Sequence, residues 1–181
     1  MTPTLGSLHT VPALDRPDLL APSVPAALRL LGADVGVAEI DPDLADTAAF
    51  CAAHGVPAAA SANCVVLIGK REGTVRYAAA VVLATTRADV NGVIRRLLDV
   101  RKISLAPMDV AVELTGMEYG GITPLGLPAD WPVLVDGAVA AAGPVVVGSG
   151  LRRSKMVLDG ALLGSLPTAQ VVASMATPIP V

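Results

Sequence analysis

Aromatic side chains are almost missing from this 181-residue chain, which holds one tryptophan, two tyrosines and one phenylalanine. That scarcity excludes a nucleic-acid surface built on base stacking along a single strand. Histidine is as scarce, with only His9 and His54, so a zinc centre or a Ser-His-Asp triad would have to use one of these two. His9 falls in a terminus that reads as loose, and His54 in the last turn of a helix, where it meets the helix dipole favourably. Neither placement suits histidine catalysis. Cys51 and Cys64 are the only cysteines; they lack metal-ligand spacing and read as small buried apolar residues. No metal site and no cofactor are expected.

Long apolar runs are also lacking, although 53% of the chain is hydrophobic and mean hydropathy is +0.63. Residues 77–84 are too few to span a bilayer, and residues 133–147 are interrupted by Asp136, Gly137, Gly143 and Pro144. Residues 1–13 have no basic region and contain Pro3 and Pro12, so they do not read as a signal peptide. The expectation is a cytoplasmic protein that does not contact a membrane. Its core must be aliphatic, and its length suits one domain.

The net charge of −3 looks unfavourable for a nucleic-acid partner, but its distribution is uneven. Up to Phe50 there are seven acids and two bases, and thereafter nine acids and eleven bases. The bases come in small groups: Lys70-Arg71, Arg95-Arg96, Arg101-Lys102, and Arg152-Arg153 with Lys155. Two readings stand side by side, a solvated surface or a face for phosphates. DNA is not expected.

Residues 1–22 are rich in proline and read as an irregular arm, and residues 23–181 as the domain. Ser23, Pro25 and Gly32 mark the ends of a helix over 24–31. A strand is expected over 35–40, then a helix from Asp43 to His54, stopped by Gly55 and Pro57. Residues 63–68 and 75–83 are apolar and rich in β-branched residues, and the Gly69 to Gly73 stretch between them signals a hairpin. Their nearly unbroken apolar character implies strands covered on both faces. Asp89 caps a helix with Val90, Val93, Ile94, Leu97 and Leu98 on one face. A further helix begins near Pro107 and stops at Gly116. Strands follow at 131–136, 144–148 and 156–158, then a helix near 161–166 and a last strand at 170–173. Interleaved strands and helices with a hairpin among them predict a single α/β domain of the α+β type, with a mixed central sheet flanked by helices.

Two glycine-rich segments mark places where backbone must approach something. The first is Gly120-Gly121-Ile122-Thr123-Pro124-Leu125-Gly126-Leu127, whose paired glycines can present successive N–H groups to a carbonyl or anion. The second, Gly148-Ser149-Gly150, leaves a strand and precedes Arg152, Arg153, Ser154 and Lys155. Neither matches a phosphate loop or a dinucleotide fingerprint, and Ser149 lacks the spacing of a nucleophile elbow. Each segment alone reads equally as a tight connection.

In order, Arg101-Lys102, Ala106-Pro107, Glu113-Leu114-Thr115-Gly116, the Gly120 to Leu127 segment, Pro132-Val133-Leu134-Val135-Asp136, Val145-Val146-Val147-Gly148-Ser149-Gly150 and Arg153-Ser154-Lys155 resemble the YbaK/prolyl-tRNA editing domain family. The resemblance covers residues 35–172, and Gly120-Gly121-Ile122-Thr123-Pro124 is its most specific part. It implies a mixed sheet flanked by helices and hydrolysis of misacylated tRNA, typically alanine or cysteine on the proline tRNA. It also implies a partner, the 3′ end of an aminoacyl-tRNA held in a pocket, and association with a synthetase, since some family members sit inside one.

Carried onto this chain, the resemblance puts an oxyanion-binding role on the backbone of Gly120 and Gly121. The water is positioned by the substrate's own terminal ribose hydroxyl, and a small pocket excludes proline by size. Ile122, Thr123, Pro124, Gly126, Asp136, Gly148, Ser149 and Gly150 are the expected substrate contacts, although for Asp136 orienting the adjacent turn is the alternative. Arg101, Lys102, Arg152, Arg153 and Lys155 are the expected RNA contacts. The family's pocket lysine is matched here by Asn63, which donates hydrogen bonds but carries no charge. Lys102 and Lys155 are the lysines considered as reaching the pocket in its place. Three functions stay open: a deacylase, a non-catalytic tRNA-binding module, and a hydrolase of small aminoacyl esters.

Overall fold

Short apolar runs rich in β-branched residues recur along the chain, and the computed structural model, which describes residues 1–180, is organised around two sheets. In chain order the strands are β1 (Val11–Pro12), β2 (Gly36–Glu39), β3 (Ala62–Arg71), β4 (Thr74–Leu83), β5 (Thr86–Ala88), β6 (Lys102–Leu105), β7 (Val133–Asp136), β8 (Pro144–Gly148), β9 (Ser154–Asp159), β10 (Ala169–Val172) and β11 (Ala176–Pro178). The helices are α1 (Val24–Leu31), α2 (Thr47–His54), α3 (Arg95–Leu97), α4 (Met108–Thr115) and α5 (Gly137–Ala140).

The larger sheet has the order β10-β7-β4-β3-β6, the smaller β1-β2-β9-β8, and β5 pairs with β11 as a separate ribbon. β3 and β4 run antiparallel over their full lengths. β4 with β7, and β7 with β10, run parallel, so the sheet is mixed. The hairpin closes through Glu72 and Gly73, both at positive φ, 50° and 80°. That pair of left-handed residues matches the twist of the flanking strands.

Between the sheets lies the main core, where Val81, Val133 and Val135 meet Val145, Val147, Met156 and Leu158, closed by Val24 and Leu28 of α1. The outer face of the larger sheet buries Leu67, Ala80, Val82 and Leu134 beneath Ile94, Leu98 and Met175. The outer face of the smaller one buries Ala38, Val146 and Val157 beneath Phe50 of α2. Both faces of each sheet are covered, which is why β4 from Ala78 to Leu83 is apolar at every position.

Several elements depart from expectation for local reasons. The helix expected from Asp43 is broken, because Asp46 takes an extended backbone (φ −61°, ψ 136°) and caps α2 by accepting from Ala48 and Ala49 N–H. Asp41 likewise holds a single turn at Pro42–Leu44. Ser23 precedes α1 but makes no side-chain cap. Gly32 and Gly116 end α1 and α4 in the left-handed conformation, as read from the sequence. After Asp89, which accepts from Gly92 and Val93 N–H, the chain makes a wide π-type turn before α3. The segment expected as a helix near 161–166 is a tighter 3₁₀ stretch, Gly160–Ser165. β5, β6 and β11 have no counterpart in the sequence reading. Residues 1–22 carry β1 and bury Leu8, Ala13, Leu19, Leu20 and Ala21. Among the described residues no helix is long and apolar enough to cross a membrane.

Candidate active site

One isolated parallel backbone bridge, Ser61 to Val146, joins the segment before β3 to the smaller sheet. Beyond it the start of β3 and the end of β8 diverge and leave a cavity of ≈ 390 Å³. Residues 62–66 and 146–148 form its walls, α2 with the preceding Ala45-Asp46 forms one rim, and Leu105, Met108 and Tyr119 form the other. The small apolar residues Ala62, Cys64, Val66, Ala106 and Ala111 are part of its lining, beside the polar Thr47, Ser61 and Asn63. Behind this wall Trp131 is buried with Val66 and Ala111, and its ring stacks on Tyr77 at 5.4 Å. Trp131 is thus a packing anchor that stiffens the cavity floor.

The glycine segments are tied to each other. Gly150 N–H donates to Gly121 O at 2.7 Å, Glu118 N–H donates to Gly150 O at 2.9 Å, and Gly121 N–H donates to Glu118 O at 3.0 Å. A Cβ on Gly148 would stand 2.4 Å from Gly121 O and 2.6 Å from Ile122 O. Glycine is needed at Gly148 so that two backbones can lie in contact. Gly120, at φ 84°, lines the cavity with Ile122. Among the described residues the N–H groups of Gly120 and Ile122 have no acceptor.

The expectation of two successive glycine N–H groups facing the ligand needs correction, because the Gly121 N–H closes its own turn and Gly121 is not a lining residue. Thr123 is fully buried and its Oγ1 accepts from Leu125 N–H. Pro124, Gly126 and Gly150 also lie off the cavity wall. Gly126, at φ 83°, makes room for the carbonyl of Ser23. Ser149 is enclosed: its hydroxyl lies 2.7 Å from Ser154 Oγ, which in turn donates to Leu19 O at 2.6 Å. These hydroxyls fasten the N-terminal segment to the smaller sheet. Asp136 takes the turn-orienting alternative and more. It accepts from Ala138 N–H through one oxygen and from Met175 and Ala176 N–H through the other, so it pins the C-terminal segment.

Asn63 does line the cavity, and its Oδ1 accepts from Thr47 Oγ1 at 2.8 Å. The bond fixes the amide toward the start of α2. The basic residues separate into two sets. Arg152 and Lys155 line the cavity, whereas Arg101, Lys102 and Arg153 do not. Arg153 donates to Asp18 O, and Arg101 pairs loosely with Glu72 at 3.9 Å. Lys102 opens β6 and Leu105 ends it at the rim, about 10 Å away along an extended strand.

Lys155 is only 8% exposed. Its Nζ donates to Ala45 O at 3.2 Å and lies 5.6 Å from the centre of the Phe50 ring. Burial first, and then the charge of Arg152, hold its ammonium below the ordinary lysine range. Cys64 lies in the apolar wall, where burial pushes its thiol up to about 12. No three or more His, Cys, Asp or Glu side chains converge among the described residues. What the site holds is two turn residues whose N–H groups have no acceptor among the described residues, two cations, and a wall of small and polar side chains.

Sequence reasoning missed the rim formed by Ala45, Thr47, Phe50, Met108 and Tyr119, since no local motif says which helix end a pocket will meet. Lys155 carried a usable signal: it is a charge set near the start of an apolar strand, where Ser154, Met156, Val157 and Leu158 are all buried.

The family model of the aminoacyl-tRNA editing domain matches residues 41–165, a span that contains every cavity-lining residue. This chain belongs to that family. The editing domain also has solved structural relatives. One is the hypothetical protein APE2540, with a TM-score of 0.75 and 21% identity over 86% of this chain and 99% of the other. A second, described as a candidate trans-editing enzyme for prolyl tRNA synthetase, has a TM-score of 0.71 and 24% identity over 84% and 94%. A third, an epitope-presenting scaffold made by computational design, gives 0.71 and 23% over 84% and 97%. At these identities the likeness establishes the editing-domain fold. No curated protein matches the chain.

Proposed function

We propose that this editing domain hydrolyses the ester of misacylated tRNA in trans, acting on a small amino acid such as alanine or cysteine attached to the proline tRNA. The observation that carries the reading is the cavity itself, with Gly120 and Ile122 N–H groups free at an apolar hollow bordered by cations. The acyl carbonyl sits against those N–H groups, which stabilise the oxyanion as water adds. The neighbouring ribose hydroxyl of the terminal adenosine positions that water, so the chain needs no nucleophile of its own. Small wall residues leave room for a methyl or thiol side chain, and the pyrrolidine ring of proline is refused by size. Tyr119, 54% exposed at the rim, offers a ring face to the terminal base. The cytoplasm, where charged tRNA and synthetases meet, is the compartment this reading implies, with a synthetase as a further partner.

A second reading rests on Asn63: a pocket without the lysine holds the tRNA end and does not turn it over. Proline tRNA charged separately with alanine, cysteine, serine and proline distinguishes the two. Under the proposal wild-type protein removes at least one small non-proline amino acid and spares proline. Binding without hydrolysis, with activity gained in Asn63→Lys, would establish the second reading instead.

A further inference from the structure

A buried ammonium normally has a carboxylate beside it, since an unpaired charge taken out of water is costly. Lys155 has none. Among the described residues neither Lys155 nor Arg152 forms an ion pair. The carboxylate of Asp46, on the same rim, is spent on capping α2. The ammonium has three N–H donors and meets one protein acceptor, Ala45 O. Arg152 spans the rim instead: its guanidinium donates to Tyr119 O at 3.2 Å and Pro42 O at 3.0 Å, and packs against Gly120. Glu118 accepts from the Arg152 backbone N–H at 2.7 Å, which holds the residue at the Gly120 turn. Two cations are therefore held at an open cavity whose β3 wall presents the neutral amide of Asn63.

We propose that Lys155 and Arg152 form an anion site for the phosphodiester that precedes the terminal adenosine of the substrate. The charge that Asn63 does not supply from β3 then comes from β9 and the loop before it. The inference rests on the deacylase reading for the identity of the ligand, and adds the residues and the substrate group they recognise. Lys155 is a binding residue here and takes no part in bond making. The geometry also accounts for its burial: the ligand completes the pair, so the free protein carries the unpaired charge.

The test uses two non-hydrolysable probes, 3′-alanylamido-3′-deoxyadenosine with a free 5′-hydroxyl and the same compound as its 5′-methylphosphate. Their Kd values are measured by calorimetry on wild type, Lys155→Met and Lys155→Gln. Wild type should bind the methylphosphate about 10-fold or more tightly than the 5′-hydroxyl probe, as expected for a charge-assisted contact. Both variants should bring the ratio to about one. Thermal melts should show Lys155→Met no less stable than wild type, since an unpaired buried charge has been removed. If Met collapses the cavity, Gln still reads the ratio. Equal affinities for the two probes in wild type would overturn the site, as would a ratio that survives both substitutions. Competition by free alanine without any phosphate preference would assign the cations to a carboxylate and overturn it too. Wild type that deacylates tRNA yet ignores the methylphosphate sinks the anion site and leaves the editing reading standing. A phosphate preference lost in the variants, without any deacylation, does the reverse.

Discussion

Replacing Gly148 with alanine tests whether the two glycine segments set the site by direct backbone contact. The added methyl would stand 2.4 Å from Gly121 O and 2.6 Å from Ile122 O, against an ordinary contact of 3.4 Å or more. Both obstacles are backbone atoms, so no side-chain rotation relieves them, and the segments must part by about 1 Å. Overpacking of this kind costs about 1–3 kcal/mol, and the rigidity of the obstacles places it in the upper half of that range. For a chain of this size the melting temperature should fall by about 5–10 °C. Gly120 and Ile122 ride on the displaced segment, and a shift of that size lowers turnover by roughly 100-fold. Gly143→Ala is the control: Gly143 has φ 73° and nothing within 4 Å of an added methyl, so it pays only the left-handed penalty of about 1–2 kcal/mol and keeps its rate. Stability would come from thermal melts and turnover from single-turnover ester loss. Gly148→Ala with wild-type stability and rate would refute the reasoning.

Asp136→Ala should cost about 2–4 kcal/mol, because three backbone N–H groups lose their acceptor; urea melts should show this with activity per folded molecule retained, and a rate defect in the folded variant would instead make Asp136 part of the site. Cys64, its thiol pushed up to about 12 by burial, should be alkylated more slowly in the native state near pH 8 than in the unfolded chain. Rapid native labelling of Cys64 would contradict this. The sign of the linkage follows from the same shift: the folded form keeps its proton above the ordinary value of 9.0, so stability is full below that value and declines as pH rises from there toward 12. Cys64→Ala should flatten the decline seen in pH-dependent melts.

The sheet was legible because its cues are local. Nearly unbroken apolar runs mark β3, β4, β7 and β8, the hairpin follows from the Gly69 to Gly73 stretch, and Gly32 and Gly116 announce their helix ends. β6 was hidden by its own charge: Lys102 sits on an edge strand where a lysine is tolerated, and reads as surface. β5 and β11 pair across nearly ninety residues of sequence, and neither has a pattern strong enough to be seen without the other. At the site, the glycines announced close backbone approach, but not that much of the approach is between the two segments themselves. Ser149, Thr123 and Asp136 make internal hydrogen bonds whose partners no local motif names. Asn63 and Lys155 meet one cavity only because Ser61 bridges to Val146, a long-range contact that no spacing encodes.

The most direct test of the central claim, water delivered by the substrate's own hydroxyl into a pocket of fixed backbone donors, is single-turnover decay of alanine esterified to the 3′-oxygen of the proline tRNA. One tRNA would end in ordinary adenosine and the other in 2′-deoxyadenosine. The account predicts rapid ester loss from the first and a rate lower by about 100-fold or more for the second. Equal rates for both, or no loss above the uncatalysed rate from either, would contradict it.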